Sequence, residues 1–242
     1  MTGICLQGDL CMGDTALIRD LALDMPAGRW SCLLGPSGVG KSSIARLLAE
    51  LPGPQHLRGQ LTTGDGQPLA GRVALMAQEG QLLPWADLVA NVTISARLRG
   101  QAADRAQARA LLAEVGLAGM EGRRPAELSG GQRQRVALAR VLSEAAPVVL
   151  LDEPFSALDT ITRLAMQDLA ARLLRGRTIL LITHDPLEAL RLSDRAWLLG
   201  RGGSEALPLP DTPAPRDYRA PDLLRAQAAL LARLHGELPC AG

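Results

Sequence analysis

The sequence has no apolar run long enough to cross a membrane. Apolar stretches such as 148–151 and 179–182 are only four residues long, whereas a spanning helix needs about 20. The first residues also lack a basic segment followed by an apolar run and a small-residue cleavage site, so no secretory signal is predicted. We therefore expect a cytoplasmic protein that reaches a membrane only through partners.

Cysteine is scarce, and its spacing excludes the usual cysteine-based frameworks. The four cysteines, Cys5, Cys11, Cys32 and Cys240, lie far apart along the chain. None of them forms the closely spaced pairs typical of zinc sites, and the set is too sparse for a disulfide scaffold. Free, reduced thiols are predicted.

The chain also lacks an excess of charge of either sign. With 26 Lys and Arg against 25 Asp and Glu, the net charge is +1. No electrostatic attraction toward nucleic acid is therefore visible, and we predict no nucleic-acid partner. A hydrophobic content of 47% over 242 residues is enough to build a folded core.

Short apolar strands alternate with helical patterns along most of the chain. Strands are predicted before residue 34, at 148–151 and at 178–183, and a helix is predicted to begin near Lys41. This alternation predicts an α/β fold with a largely parallel sheet. We predict one domain, with a core at about 1–83 and 128–200, a helical subdomain at about 84–127 and a C-terminal linker and helix at about 201–242.

Glycine and proline punctuate the last part of the chain. Their density between residues 200 and 221 predicts an extended connector. The apolar spacing after it predicts a final helix at about 222–234, whose single apolar face is expected to pack back on the domain.

A glycine-rich loop stands between the strand ending at Leu34 and the helix near Lys41. Such a loop lets backbone N–H groups turn toward phosphate oxygens at the positive end of a helix. The alternative, an ordinary glycine-rich turn, does not account for the Lys-Ser pair in this context. The predicted phosphate-binding residues are Gly35, Pro36, Ser37, Gly38, Val39, Gly40, Lys41, Ser42 and Ser43.

The loop predicts magnesium-dependent phosphate chemistry. Lys41 is expected to reach the β- and γ-phosphates as part of the catalytic machinery, and the hydroxyl of Ser42 is a suitable ligand for Mg²⁺. Ser43 is expected to support the α-phosphate. The pattern indicates a nucleoside-triphosphatase without specifying which kind.

Two adjacent carboxylates follow the apolar strand at 148–151. Ligands of open α/β sheets bind beyond the carboxyl ends of the strands, so Asp152 is predicted to hold Mg²⁺. Glu153 is predicted to be the general base that activates water. A helix N-cap is the alternative role for such a pair, and it is weakened by the phosphate loop.

His184 follows the apolar strand at 178–183 and is predicted to project at the same edge of the sheet. We assign it to the γ-phosphate and the attacking water. Lone histidines are more often structural, which is our interpretation of His56 and His235.

Residues 128–135 form a second small-residue loop at the start of a helix. One phosphate chain cannot occupy two such cradles of the same subunit without a large bend. In two subunits arranged head to tail, the phosphate loop of one subunit and the second loop of the other would bind the same nucleotide. This arrangement favours a homodimer.

The sequence resembles the ATP-binding-cassette family along essentially its whole length. The resemblance rests on six motifs in the family's order: the Walker A loop at 35–42, the Q-loop residue Gln78, the signature at 128–132, the Walker B strand at 150–153, the D-loop at 156–159 and the H-loop residue His184. It implies an ABC-type P-loop ATPase with a RecA-like core, an N-terminal antiparallel β portion and a helical subdomain. ATP and Mg²⁺ are the implied cofactors.

The resemblance assigns further site residues. It implies that the signature residues Ser129, Gly130, Gly131 and Gln132 contact the nucleotide of the opposite subunit, and that Asp159 bridges the two subunits. Gln78 would take part in metal binding and catalysis and couple the metal site to a membrane partner. Without the resemblance, Gln78 would be read as a surface loop residue.

One departure concerns the adenine base. The family usually places an aromatic side chain near the first strands, but residues 8–16 contain none. Met12 or an aliphatic neighbour is the predicted cover, since a thioether packs well on an aromatic face.

The segments 77–85 and 155–163 look like those of importers of nitrate, sulfonates, taurine and the hydroxymethylpyrimidine precursor of thiamine. Residues 76–78 and 97–100 incline the prediction toward the pyrimidine precursor. The implied partners are integral membrane permease subunits and a periplasmic or lipid-anchored solute-binding protein, with this chain peripheral on the cytoplasmic face of the inner membrane. The alternatives are a non-transport ATPase of the same family and a nucleotide-dependent regulatory module.

Overall fold

A computed structural model describes residues 2–78, 81–200 and 202–237 of the chain. Cys240 lies outside the described residues, as does the side chain of His235. The strands are β1 (Ile4–Met12), β2 (Thr15–Met25), β3 (Trp30–Leu34), β4 (Gln55–Thr63), β5 (Val73–Met76), β6 (Val148–Asp152), β7 (Thr178–Thr183), β8 (Arg195–Gly200) and β9 (Gly203–Ala206). The α-helices are α1 (Lys41–Leu48), α2 (Leu88–Leu98), α3 (Arg105–Glu114), α4 (Gly130–Ser143), α5 (Thr160–Leu173), α6 (Pro186–Leu192) and α7 (Pro221–Glu237).

A three-stranded antiparallel sheet is formed in the order β2-β1-β4. Its central strand β1 pairs Gly8 with Gly59 of β4. A Cβ atom on Gly8 would lie 2.3 Å from the carbonyl oxygen of Arg58. The close approach of β1 to β4 at this point therefore requires glycine. This sheet is the N-terminal antiparallel portion that the sequence resemblance implied.

The second sheet has six strands in the order β5-β6-β7-β3-β8-β9, all parallel except β9. β6 and β7 are buried along their whole lengths, because helices or the other sheet cover both faces, and buried parallel strands are continuous apolar runs. β3, β6 and β7 are neighbours and point the same way. The residues that follow them, Gly35, Glu153 and His184, therefore lie at one edge of the sheet.

Side chains alternate between two apolar clusters, one on each face of the six-stranded sheet. Leu180 and Ile182 of β7 pack with the antiparallel sheet and α1. Ile179 and Leu181 of the same strand pack with the apolar faces of the remaining helices. The period of two along β7 thus joins the two layers into one fold.

The observed elements confirm the predicted α/β fold. α1 begins at Lys41 and β7 spans Thr178–Thr183, as predicted, while α2 and α3 lie within the predicted helical insertion. α7 packs on the core through buried Leu223 and Leu230. Among the described residues, no helix combines the length and the hydropathy needed to cross a bilayer.

The prediction of a connector from residue 200 onward is wrong at 203–206. These residues form β9, which pairs antiparallel with β8. Ser204 also joins β9 to β2, since its hydroxyl accepts a hydrogen bond from the N–H of Ala22 at 2.9 Å. The short sequence Gly-Ser-Glu-Ala carries no apolar alternation, so tertiary pairing alone makes it a strand.

Candidate functional site

The phosphate loop, residues 35–42, connects β3 to α1 and depends on its glycines. Gly40 is the N-cap of α1 and is left-handed, with φ 113°. A Cβ atom there would lie 3.0 Å from Cδ1 of Ile18, and one on Gly35 would lie 2.6 Å from the carbonyl oxygen of Leu199. The first turn of a helix leaves N–H groups without intrahelical partners. The loop therefore presents the donors and the helix dipole that an anion requires.

Lys41 folds back over this loop. Its Nζ atom donates to the carbonyl oxygens of Gly35 at 2.8 Å and Pro36 at 2.9 Å. Burial lowers the pKa of Lys41, while the nearby carboxylates of Glu153 and Asp152 act in the opposite direction. A phosphate oxygen would offer this buried ammonium a charged acceptor in place of neutral carbonyls.

Asp152 ends β6 and is the buried acid of the site. Burial raises the pKa of its carboxyl, and a hydrogen bond from Ser42 opposes that rise. Its Oδ1 atom is buried and has no hydrogen-bond partner among the described residues. An orphaned carboxylate oxygen beside a serine hydroxyl is the oxygen donor set that Mg²⁺ uses, so these two residues fit the cation that the sequence implies.

Ser42 and Asp152 would supply only part of the coordination shell of a cation. Within the described residues, no group of three or more His, Cys, Asp or Glu side chains lies together as a complete metal site. Magnesium commonly takes one or two protein oxygens and completes its shell with water and phosphate oxygens. Ser42 and Asp152 match that arrangement.

Glu153 contacts two other predicted site residues, His184 and Gln78. Its Oε1 atom lies 3.2 Å from Nδ1 of His184, and its Oε2 atom accepts a hydrogen bond from Nε2 of Gln78 at 3.4 Å. Its backbone is left-handed, with φ 48°, which is uncommon for a residue other than glycine and marks strained functional positions. The N–H of Glu153 donates to the carbonyl oxygen of Ile182 at 2.9 Å and so joins this turn to β7.

Gln134 supports Glu153 from behind and was missed by sequence reasoning. It is buried in α4, and its Nε2 atom donates to the carbonyl oxygen of Glu153 at 2.7 Å and to Oγ of Ser156 at 3.2 Å. Its Oε1 atom accepts from the N–H of Ala157 at 2.9 Å. The only signal in the sequence is a glutamine in a helix next to the predicted signature.

The signature segment, residues 128–132, forms the start of α4. Ser129 is its N-cap: its hydroxyl accepts from the N–H of Gln132 at 3.2 Å, and Oε1 of Gln132 accepts from the N–H of Ser129 at 2.8 Å. A Cβ atom on Gly131 would lie 3.0 Å from the carbonyl oxygen of Ala157. Within the part of the chain that the structure describes, no hydrogen bond or ion pair joins this segment to the phosphate loop.

Asp159 caps α5 in an exposed position. Its Oδ1 atom accepts from the N–H of Thr162 at 3.0 Å, and the hydrogen bonds from Thr162 lower the pKa of its carboxyl. Ile161, in the same turn, is 82% exposed. Asp159 thus lies on an accessible surface that carries an unburied apolar side chain.

A groove of about 900 Å³ lies beside the loop that precedes α2. Trp85 and Leu98 line it and are 71% and 81% exposed, and the lining also includes two arginines, Arg97 and Arg124. We refer to it as the docking groove. Large apolar side chains exposed together on a rim of polar residues are typical of protein contact sites.

Met12, the predicted cover for an adenine base, ends β1 and is partly exposed. It pairs with Thr15 across the tight turn to β2 and with Gln55 of β4. Its role stays a prediction.

The chain is similar to known proteins along most of its length. The family model described as "ABC transporter" matches residues 18–156, which is more than half of the chain. The aliphatic sulfonates import ATP-binding protein SsuB 1 of Rhodococcus jostii is 50% identical over 77% of this chain and 74% of its own length. The SsuB 1 protein of Mesorhizobium japonicum is 44% identical over 93% and 85%, and an uncharacterized ABC transporter ATP-binding protein of Haemophilus influenzae is 41% identical over 94% and 96%.

The fold also matches solved structures. A dimeric ATP-binding cassette in a post-hydrolysis state, bound to ADP and Pi, superposes with a TM-score of 0.73 at 25% identity, covering 90% of this chain and all of that one. A dimeric bacterial ABC transporter cassette gives a TM-score of 0.72 at 26% identity, covering 85% and 97%.

Proposed function

Because this chain belongs to the ABC transporter family and is an ATPase of that family, we propose that it powers an importer of aliphatic sulfonates. The observation that carries the ATP-hydrolysing part of the proposal is the cluster of Glu153 with Gln78 and His184 at the sheet edge that also holds the phosphate loop. A chain that only bound nucleotide would have no use for a positioned base.

The chemistry follows from the chain's own groups. Lys41 and the N–H groups of the phosphate loop bind the β- and γ-phosphates of ATP. Ser42 and Asp152 would hold Mg²⁺, and the bound cation would neutralise charge that develops on the phosphates. Glu153 takes a proton from the attacking water through Oε1 or Oε2.

Gln78 and His184 orient that base. Each contacts a different oxygen of Glu153, at 3.4 Å and 3.2 Å, so the carboxylate is held at two points. His184 is 55% exposed, which leaves room for it to contact the γ-phosphate and the water. Positioning of this kind is a large part of phosphoryl-transfer catalysis.

A second copy of the chain completes the site. The signature residues Ser129, Gly130, Gly131 and Gln132 form a helix start suited to an anion, and within the residues described they make no hydrogen bond or ion pair with the phosphate loop of their own subunit. We propose that they bind the nucleotide held by the partner and that Asp159 crosses the interface. The dimeric solved structures and the exposed Ile161 beside Asp159 support this arrangement.

The membrane partner is proposed to occupy the docking groove. Trp85 and Leu98 provide apolar contacts, and the lining has two arginines against one carboxylate, Asp87, so it carries a net positive charge. This charge favours a short cytoplasmic helix of a permease with an apolar face and an acidic residue. The groove begins a few residues after Gln78, so ATP-driven closure of the dimer would be transmitted to the permease there.

The solute is proposed from lineage. Relatives that are named as aliphatic sulfonate importers favour a sulfonate, and the inclination toward the pyrimidine precursor of thiamine receives no support from them. Selection of the solute would fall to a periplasmic or lipid-anchored binding protein and to the permease. This chain would act peripherally at the cytoplasmic face of the inner membrane.

The test is affinity capture from solubilised membranes with a Glu153→Gln chain and ATP, and Lys41→Ala as the matched control that does not bind nucleotide. We expect the Glu153→Gln chain, but not the Lys41→Ala chain, to capture a polytopic membrane protein and a solute-binding protein that binds an alkanesulfonate. A binding protein selective for a pyrimidine would overturn the sulfonate assignment. Capture of soluble partners only would favour a non-transport ATPase, and normal ATP binding without turnover in the unmodified chain would favour a regulatory module.

A further inference from the structure

Arg163, in the first turn of α5, touches two separate loops of the site. Its Nη2 atom donates to the carbonyl oxygen of Leu158 at 3.1 Å, just before Asp159. Its Nη1 atom donates to Oδ2 of Asp185 at 3.3 Å, just after His184. A single guanidinium therefore joins the segment that carries Asp159 to the turn that carries His184.

The turn at His184 is held on its other side as well. Oγ1 of Thr183 accepts a hydrogen bond from the N–H of Asp185 at 3.0 Å and donates one to Oε2 of Glu188 at 2.7 Å. Glu188 is only 3% exposed, and Nε of Arg163 lies 3.8 Å from its Oε1 atom. Hydrogen bonds thus hold Thr183 and Asp185, the residues on either side of His184. Arg163 donates to Asp185 and lies near Glu188.

We infer that Arg163 is a positioning residue that holds His184 against Glu153 and ties that contact to the Asp159 segment. The inference rests on the proposed roles of His184, Glu153 and Asp159. Movement of the Asp159 segment, for example when a second subunit binds there, would be transmitted through the guanidinium to Asp185 and so to the imidazole of His184.

The geometry explains why this residue is arginine. The two Nη atoms reach acceptors on different loops at the same time, which requires a planar fork with donors on both arms. A lysine would carry the same charge as a point and could satisfy one loop or the other. Arg163→Lys is therefore the variant that separates charge from geometry, and Arg163→Gln removes both.

The role of Arg163 is tested in the full chain, with a control variant on the same helix. Arg172 also lies on α5 and pairs with Glu114, but both side chains are largely exposed and lie outside the site, so Arg172→Gln is the matched control. One measurement is steady-state ATP hydrolysis, separated into kcat and KM. The other is the imidazole proton resonances in NMR spectra, because the chain has only three histidines and exposed His56 provides an internal reference.

For Arg163→Gln we expect kcat to fall about tenfold or more with little change in KM for ATP, since misplacement of a catalytic group is costly. In Arg163→Gln the imidazole resonances of His184 should shift, while those of His56 should not. Arg163→Lys should show the same shift of the His184 resonances. Arg172→Gln should give the spectrum and the kcat of the unmodified chain. Unchanged His184 resonances, or shifts of His184 and His56 together with a loss of fold, would overturn the inference. Full activity of a His184→Ala chain would refute the proposed catalytic role of His184. The effect of Arg163 on the position of His184 could still be tested, because the NMR measurement does not depend on turnover.

Discussion

Nδ1 of His184 lies 3.2 Å from Oε1 of Glu153, although the two residues follow different strands. The contact exists because β6 and β7 are parallel neighbours, with Asp152 paired to Ile182. Each strand therefore delivers its next residue to the same edge. A base and the group that orients it meet there above the phosphate loop, which follows the adjacent strand β3.

Replacement of the base is expected to stop hydrolysis without preventing ATP binding. Glu153→Gln keeps the size of the side chain but cannot accept the proton, so kcat should fall about 100-fold or more. The variant should also form an ATP-dependent dimer, which size-exclusion chromatography with ATP detects. Glu114→Gln, an exposed position on α3, is the control. Turnover of Glu153→Gln at the normal rate would remove Glu153 as the base.

Loss of the Gln134 amide is expected to weaken the turn that carries Glu153. In Gln134→Leu, the N–H of Ala157 loses its acceptor and the carbonyl oxygen of Glu153 loses its donor, and a typical hydrogen bond contributes about 0.5–1.5 kcal/mol to the free energy of unfolding. Urea unfolding would measure that cost, and ATP hydrolysis should fall as well. Gln107→Leu, at an exposed site on α3, should leave both quantities nearly unchanged. Wild-type stability and turnover in Gln134→Leu would contradict the supporting role.

Glu188 is expected to make stability depend on pH. Burial raises the pKa of its carboxyl from 4.5 to about 7 in the folded chain; Asp185 adds to that rise, while the hydrogen bond from Thr183 and the nearby Arg163 and His184 oppose it. Between these two pH values the folded state binds the proton and the unfolded state does not. The contribution is therefore fully present below about pH 4.5 and is lost as pH rises through 7.

The measurement is the free energy of unfolding of the unmodified chain minus that of Glu188→Gln, from urea titrations across this window. The difference should decrease by up to roughly 3 kcal/mol between pH 4.5 and pH 7 and then level off. Other carboxylates cancel in the subtraction. A difference that stays flat, or that increases with pH, would show that the buried carboxyl is ionised in the folded chain throughout the range.

Changes in the docking groove are expected to separate ATP binding from binding of the membrane partner. Trp85→Ala removes the largest exposed apolar side chain of the groove, and buried aromatic anchors of interfaces contribute about 2 kcal/mol or more to binding. The variant should bind ATP normally but lose its membrane partner in affinity capture. Leu231→Ala, at an exposed apolar position on α7, is the matched control. Retention of the membrane partner by Trp85→Ala would direct the search to another surface.

The parts of the site that lie in one stretch of chain were predictable from the sequence. The phosphate loop is such a part, because its glycines and Lys41 act through local backbone geometry at a helix start. Gln134 was not predictable, because a buried glutamine in a helix reveals its partners only when the loop after β6 is placed against it. β9 was not predictable either, since its pairing with β8 and its contact with β2 override a weak local preference.

The sequence by itself determined the alternation of strands and helices, the phosphate loop and the two carboxylates at the end of the strand 148–152, because these depend on local periodicity and on residues close together in the chain. Only the tertiary structure decided which strands are neighbours, and hence that Gln78 and His184 hold opposite oxygens of Glu153. It also decided that Arg163 joins two loops. These relationships link residues far apart in the chain, and their distances depend on strand order and packing, which no local pattern encodes.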